Sequence, residues 1–192
     1  MTITSLNLVH VTTRKDWRAW LEEHFRTDKE VWLVYYKKET GKLRISYNDA
    51  VEEALCFGWI DSIQRTIDNE RFAQRFSPRR TITHYSETNK MRLRTLVKEG
   101  KVETSVLATL GSDVFEMTFK MSPDVIEAIK SDKDAWGNFQ NFSEGYKRIR
   151  IGFIESARNR PPEFQKRLQY FIKMTALNKK FGYGGVEKYY LD

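Results

Sequence analysis

At 192 residues the chain is long enough for one large domain, or for one domain with a smaller appendage. Its 40% hydrophobic and 31% charged residues are ordinary for a globular protein, and its single cysteine excludes an internal disulfide. The formal net charge of +7 favours encounters with nucleic acid, anionic lipid or acidic ligands without naming one.

Met1 to Trp17 lack a basic start followed by an apolar run, and no stretch of about 18 apolar residues occurs; cytoplasmic residence without a membrane span is the expectation. Residues 13–26 then read as a helix. Thr13 is its cap, Asp16 stands three residues on, and Trp17, Trp20 and Leu21 share one face. Val31 to Lys37 is short, β-branched and aromatic, the pattern of a buried strand. A turn over 39–42 and an extended Leu43 to Ile45 suggest a small hairpin with it.

Ser46 caps a second helix with Asp49 three residues later, and Gly58 is placed to stop it in the left-handed conformation. Cys56 lies in its last turn, where the helix dipole disfavours a thiolate, so a buried small hydrophobe is the expected role. Residues 60–67 and 71–76 both alternate, with a turn at 68–70, which predicts an antiparallel pair. Pro78 ends the second strand, and Arg79 and Arg80 follow as guanidinium forks suited to carboxylate or phosphate. Ser86 or Thr83 caps the next helix, which stops at Gly100. Residues 101–110 suggest a short helix, and Gly111-Ser112-Asp113 a turn.

From Ser122-Pro123 onward the pattern is helical. Short stripes at Val125 and Ile129 and at Ala135 to Phe139 precede a helix capped by Ser143, and Pro161-Pro162 starts the last one. The aromatic, glycine-rich tail docks on the body or a partner, or stays mobile.

Trp59, Asp61, Arg79, Arg80, Tyr85, Ser86 and Asn89, with Ser62 and His84, gather at element edges around the central hairpin. Two readings follow. Asp61 pairs with Arg79 or Arg80 to pin the turn, or the seven residues line a pocket with Trp59 as apolar wall and an arginine as anion anchor. His10, His24 and His84 lack metal-ligand spacing, so no metal or other cofactor is expected. The two C-terminal helices interleave Lys147, Arg148, Arg150, Arg158, Arg160, Lys166, Arg167 and Lys173 with Tyr146, Phe153 and Tyr170. That composition suits nucleic acid, although the aromatics fall on the apolar stripe.

The block Ala54-Leu-Cys-Phe-Gly-Trp-Ile-Asp-Ser62, then Phe76-Ser-Pro-Arg-Arg80, then Ser86 and Asn89, resembles the signature of the YdeI/OmpD-associated proteins. Val31 to Lys38, Ile45 to Tyr47 and the arginine-rich pair from Ser143 to Leu177 resemble the same family. Tyr85 stands where that pattern has tryptophan. The resemblance implies bacteriocin protection and association with an outer-membrane porin, and brings no catalytic residues with it.

The expected fold is α+β: an N-terminal antiparallel sheet with flanking helices over 1–110, a connector over 111–121, a small all-helical module over 122–178, and a tail over 179–192. The expected function is a non-enzymatic cytoplasmic accessory protein of antimicrobial stress, binding an acidic small ligand or a protein partner. The alternatives are an enzyme with Asp61 as base and an arginine as clamp, and nucleic-acid binding by the C-terminal helices.

Overall fold

The structure, a computed structural model, describes residues 6–80, 85–182 and 184–190. They separate into two units, one built from 6–80 with 93–111 and the other from 85–92 with 112–190. The fold is α+β, with a sheet in the first unit and helices in the second.

The first unit runs β1 (Leu8–Val9), α1 (Arg14–His24), β2 (Val31–Tyr36), α2 (Tyr47–Cys56), β3 (Trp59–Thr66) and β4 (Arg71–Pro78). It then takes the end of α3 (Glu87–Lys98) and α4 (Thr104–Leu107), while residues 87–92 of α3 belong to the second unit. The caps form as the sequence predicts: Thr13 accepts from the Asp16 N–H at 3.1 Å, and Ser46 from that of Asp49 at 3.0 Å. Gly58 ends α2 at φ 70°, a conformation that strains any residue with a Cβ.

The strand order is β1-β2-β4-β3. β4 is antiparallel to both β2 and β3, but β1 adds parallel at Trp32 and Leu33, so the sheet is mixed rather than purely antiparallel. The hairpin expected between β2 and Leu43 to Ile45 does not form. β4 takes one side of β2 and β1 part of the other; Lys38–Thr40 makes a 3-10 turn, and Leu43 is 82% exposed.

Alternation along the strands puts Leu33, Tyr35, Phe72, Gln74 and Phe76 on one face. Trp17 of α1 buries fully against that face, 5.3 Å from the Phe76 ring, and its indole N–H donates to the Ala50 carbonyl of α2 at 3.0 Å. Truncating a tryptophan so placed costs about 3–5 kcal/mol. The opposite face carries Trp32, Val34 and Ala73, with Leu6 and Ile67 packed on them.

Polar groups also bind α1 to α2. Glu52 and Glu53 are almost fully buried. Arg14 reaches Asp49, Glu52 and Glu53, and Arg18 reaches Glu53 at 2.8 Å. Burial works against the Arg14 charge, but the hydrogen bond and field of Glu53 outweigh it and raise its pKa.

The second unit adds α5 (Ser112–Phe115), α6 (Pro123–Lys130), α7 (Lys133–Gln140), α8 (Glu144–Glu155) and α9 (Pro161–Ala176). Ser112 to Phe115 coil into a helical turn, and Asp113 pairs with Lys90 at 3.0 Å. Val125 and Ile129 of α6, Phe139 of α7, Ile154 of α8 and Phe164, Leu168 and Phe171 of α9 form the core. The tail docks on this core. Phe181 donates its N–H to the Tyr146 hydroxyl at 3.2 Å, Val186 and Tyr189 pack on Ile149, and Ser143 bonds the Tyr190 carbonyl. Arg148, buried in α8, bonds Glu87 and the carbonyls of Met117 and Glu116. No helix of the described residues is long and apolar enough to cross a membrane.

Candidate functional site

α1 closes on itself at its C-terminus, where the Thr27 and Asp28 N–H groups donate to the His24 carbonyl at 3.1 and 3.0 Å. The loop that follows is pinned from several directions. The Trp59 indole donates to the Phe25 carbonyl at 3.2 Å, and the Asn7 amide donates to Asp28 at 3.1 Å and to the Glu30 carbonyl at 3.3 Å. Facing this loop is the end of β4 with Pro78 and Arg80. Between them lies a recess of about 440 Å³ lined by Arg26, Lys29, Arg75 and Arg80, with Thr27, Asp28, Ser77 and Pro78.

Four cations and one carboxylate line it, so its field is positive. Two of the cations have partners. Arg75 puts Nε at 2.9 Å and Nη2 at 2.6 Å from one Glu30 oxygen, and that hydrogen bonding holds the Glu30 carboxyl below its usual pKa. Arg26 pairs with Glu103 at 3.1 Å and lies over the Phe25 ring. Lys29 and Arg80 are exposed and make no hydrogen bond or ion pair among the described residues.

Of the two readings, the pairing of Asp61 with Arg79 or Arg80 does not occur. Asp61 accepts from the Tyr47 hydroxyl at 2.7 Å and sits 3.5 Å from the Gln74 amide nitrogen. The cause is the register: Asp61 lies opposite Phe76, on the face that α2 covers, whereas Arg80 stands beyond the end of β4. Around Asp61 the Tyr35 hydroxyl and Gln74 Oε1 are buried without hydrogen-bond partners among the described residues, and burial raises the Tyr35 pKa. Trp59 is 1% exposed and holds the recess loop through its N–H. The Arg79 N–H donates to the Gly58 carbonyl at 2.9 Å.

Tyr85, Ser86 and Asn89 belong to the second unit. Tyr85 is buried; Ser86 caps α3, accepting from the Asn89 N–H at 3.3 Å, and the Asn89 side chain accepts from Arg92 at 2.8 Å. Thr83, the other expected cap, and His84 lie outside the described residues. Sequence reasoning missed Arg26, Lys29 and Arg75. The signal for Arg75 was its place on the β4 face opposite Phe72, Gln74 and Phe76; Arg26 and Lys29 follow the end of α1 with no pattern of their own.

Burial, with the Glu53 charge beside it, pushes the Cys56 thiol up to about 12, so it is protonated at neutral pH and is no activated nucleophile. Among the described residues no group of three or more His, Cys, Asp and Glu is placed to hold a metal ion. Among the described residues, four of the eight basic side chains of the C-terminal helical pair have acidic partners: Lys147 pairs with Glu144, Arg148 with Glu87, Arg158 with Asp124 and Glu155, and Arg167 with Glu163.

Two family models match the chain. One, described as a domain of unknown function (DUF8412), covers residues 9–109, and with them the recess and the whole central block, Ala54 to Asn89, that carries the resemblance. The other, described as bacteriocin-protection, YdeI or OmpD-associated, covers 118–178, the helical part. No curated protein and no solved structure matches. The first span exceeds half of the 192 residues: the chain belongs to the DUF8412 family, and within its helical part residues 118–178 are similar to the bacteriocin-protection, YdeI or OmpD-associated model.

Proposed function

We propose that the chain is a non-enzymatic accessory protein of the bacteriocin-protection class, and that it binds an acidic small ligand in the recess of its first unit. The observation that carries this is the pair of exposed cations, Lys29 and Arg80, with no partner among the described residues and facing one recess. A guanidinium fork and an ammonium suit a carboxylate or phosphate group. Arg26 and Arg75 add positive field while their own partners hold them in place. Such a rim-exposed site supports a dissociation constant on the order of 0.1–1 mM.

The cytoplasm is the proposed compartment, supported by a fold that uses no disulfide and keeps its one thiol buried. The proposal invokes no cofactor.

Isothermal titration with citrate and with pyrophosphate tests the reading. Binding that weakens with salt, and at least about fivefold with Arg80→Ala or Lys29→Ala, is expected. Heats absent in the wild type, or unchanged in both variants, would overturn it.

A further inference from the structure

The helical unit holds a second cavity, of about 180 Å³, between α8 and α9 and closed on one side by Phe181. Its walls are Phe153, Ile154, Phe171 and Phe181. Aromatic geometry fixes that lining: Phe181 stands edge-on to Tyr170 at 4.9 Å and tilted on Phe171 at 6.3 Å, while its N–H is tied to the Tyr146 hydroxyl. An apolar cavity of about 150 Å³ accommodates a benzene ring. This one is therefore sized for a single ring bearing a short polar group.

Three cations border it against one carboxylate. The Arg167 guanidinium lies 3.8 Å over the Phe153 ring, with Nε on Glu163 at 2.7 Å and Nη1 on the Phe153 carbonyl at 2.7 Å; Nη2 makes no hydrogen bond among the described residues. Arg150 is 4% exposed, its guanidinium over the Phe153 and Phe181 rings at 5.8 and 5.5 Å. Lys166 is exposed and makes no hydrogen bond or ion pair among the described residues. Tyr170, half exposed, adds a phenol hydroxyl without a hydrogen-bond partner among them.

A neutral hydrocarbon has no use for the cationic border, a compact inorganic anion has no use for the aromatic walls, and a cationic ligand is repelled. We propose that this cavity binds a single-ring aromatic carboxylate, with the ring among Phe153, Phe171 and Phe181 and the carboxylate toward Lys166 and Arg167. This site lies in the span that matches the bacteriocin-protection domain, extended by Phe181, and does not depend on the recess of the first unit.

The test is a titration of the ¹⁵N-labelled full chain with benzoate, with benzyl alcohol as neutral isostere and acetate as ringless anion. Benzoate should move the amides of Phe153, Tyr170 and Phe181, bind about tenfold tighter than benzyl alcohol, and leave acetate without effect there. Lys166→Glu, a change at an exposed position, should weaken benzoate about fivefold or more, and Arg80→Ala should leave it unchanged. Equal binding of benzyl alcohol, shifts confined to other residues, no shifts, or a Lys166→Glu variant that binds as the wild type would each overturn the assignment.

Discussion

Glu53→Gln removes one negative charge from the α1–α2 contact while keeping the side-chain volume. In the native chain both Glu53 oxygens are used, by Arg14 Nε at 2.5 Å and by Arg18 Nη1 at 2.8 Å, and the side chain is 3% exposed. The variant still offers one acceptor, but it turns an amide N–H₂ toward a guanidinium. Breaking a buried ion pair by removing one partner costs about 3–5 kcal/mol. Arg14 and Arg18 are each about 30% exposed and keep Asp49, Glu52 and Glu22, so water and the remaining carboxylates reduce the loss to about 2–3 kcal/mol. For a unit of this size that lowers the melting temperature by roughly 10–20 °C. Calorimetry reads the shift. The same change removes a charge that helps raise the Cys56 thiol, so its pKa should fall from about 12, seen as thiolate absorbance at lower pH. A melting shift under about 3 °C would refute the view that this network, rather than apolar packing alone, fixes α1 on α2.

Further outcomes follow from the same geometry. A Cβ on Gly152 would stand 2.6 Å from Glu87 Cγ, so Gly152→Ala should destabilise by about 1–3 kcal/mol, measured by urea unfolding; an unchanged midpoint would contradict the close approach of α3 to α8. Hydrogen bonds from Arg75 to Glu30, from Arg158 to Asp124 and from Arg167 to Glu163 hold these carboxyls below their unfolded pKa values. In the window between the two values the unfolded chain binds more protons, so their contribution is complete above about pH 5 and is lost as pH falls through the folded values. Melting temperatures recorded from pH 7 to 3 should drop only below about pH 4.5, and a drop between 7 and 5 would point elsewhere. With Lys147, Arg148, Arg158 and Arg167 already paired, a gel-shift series with duplex and single-stranded DNA at physiological salt should show no retardation; a retarded band would return nucleic acid to consideration.

Local chemistry was readable along most of the chain. Thr13, Ser46 and Ser143 cap the helices they were expected to cap, and Gly58 and Gly100 take the left-handed conformation after α2 and α3. What failed was non-local. Leu43 to Ile45 looked extended, but β2 finds its partners in β4 and β1, and nothing near residue 43 encodes that competition. β1 has two paired residues, too few for an alternation signal. Asp61 was matched with arginines nearby in sequence, whereas its hydroxyl donor is Tyr47, brought over by the packing of α2 on the sheet. Of the recess, Arg80 could be named from the Pro-Arg-Arg step. Lys29 and Arg26 could not, because a loop pinned by Asn7 and Trp59 brings them there. The tail had three possible fates, and the burial of Val186 and Tyr189 decides for docking.

The most direct test of the central claim is an amide chemical-shift map of the full chain with citrate. The account predicts saturable shifts clustered at Lys29, Ser77 and Arg80 that vanish in the Lys29→Ala/Arg80→Ala double variant. Saturable shifts that bypass these residues, or that persist undiminished in the double variant, would contradict it.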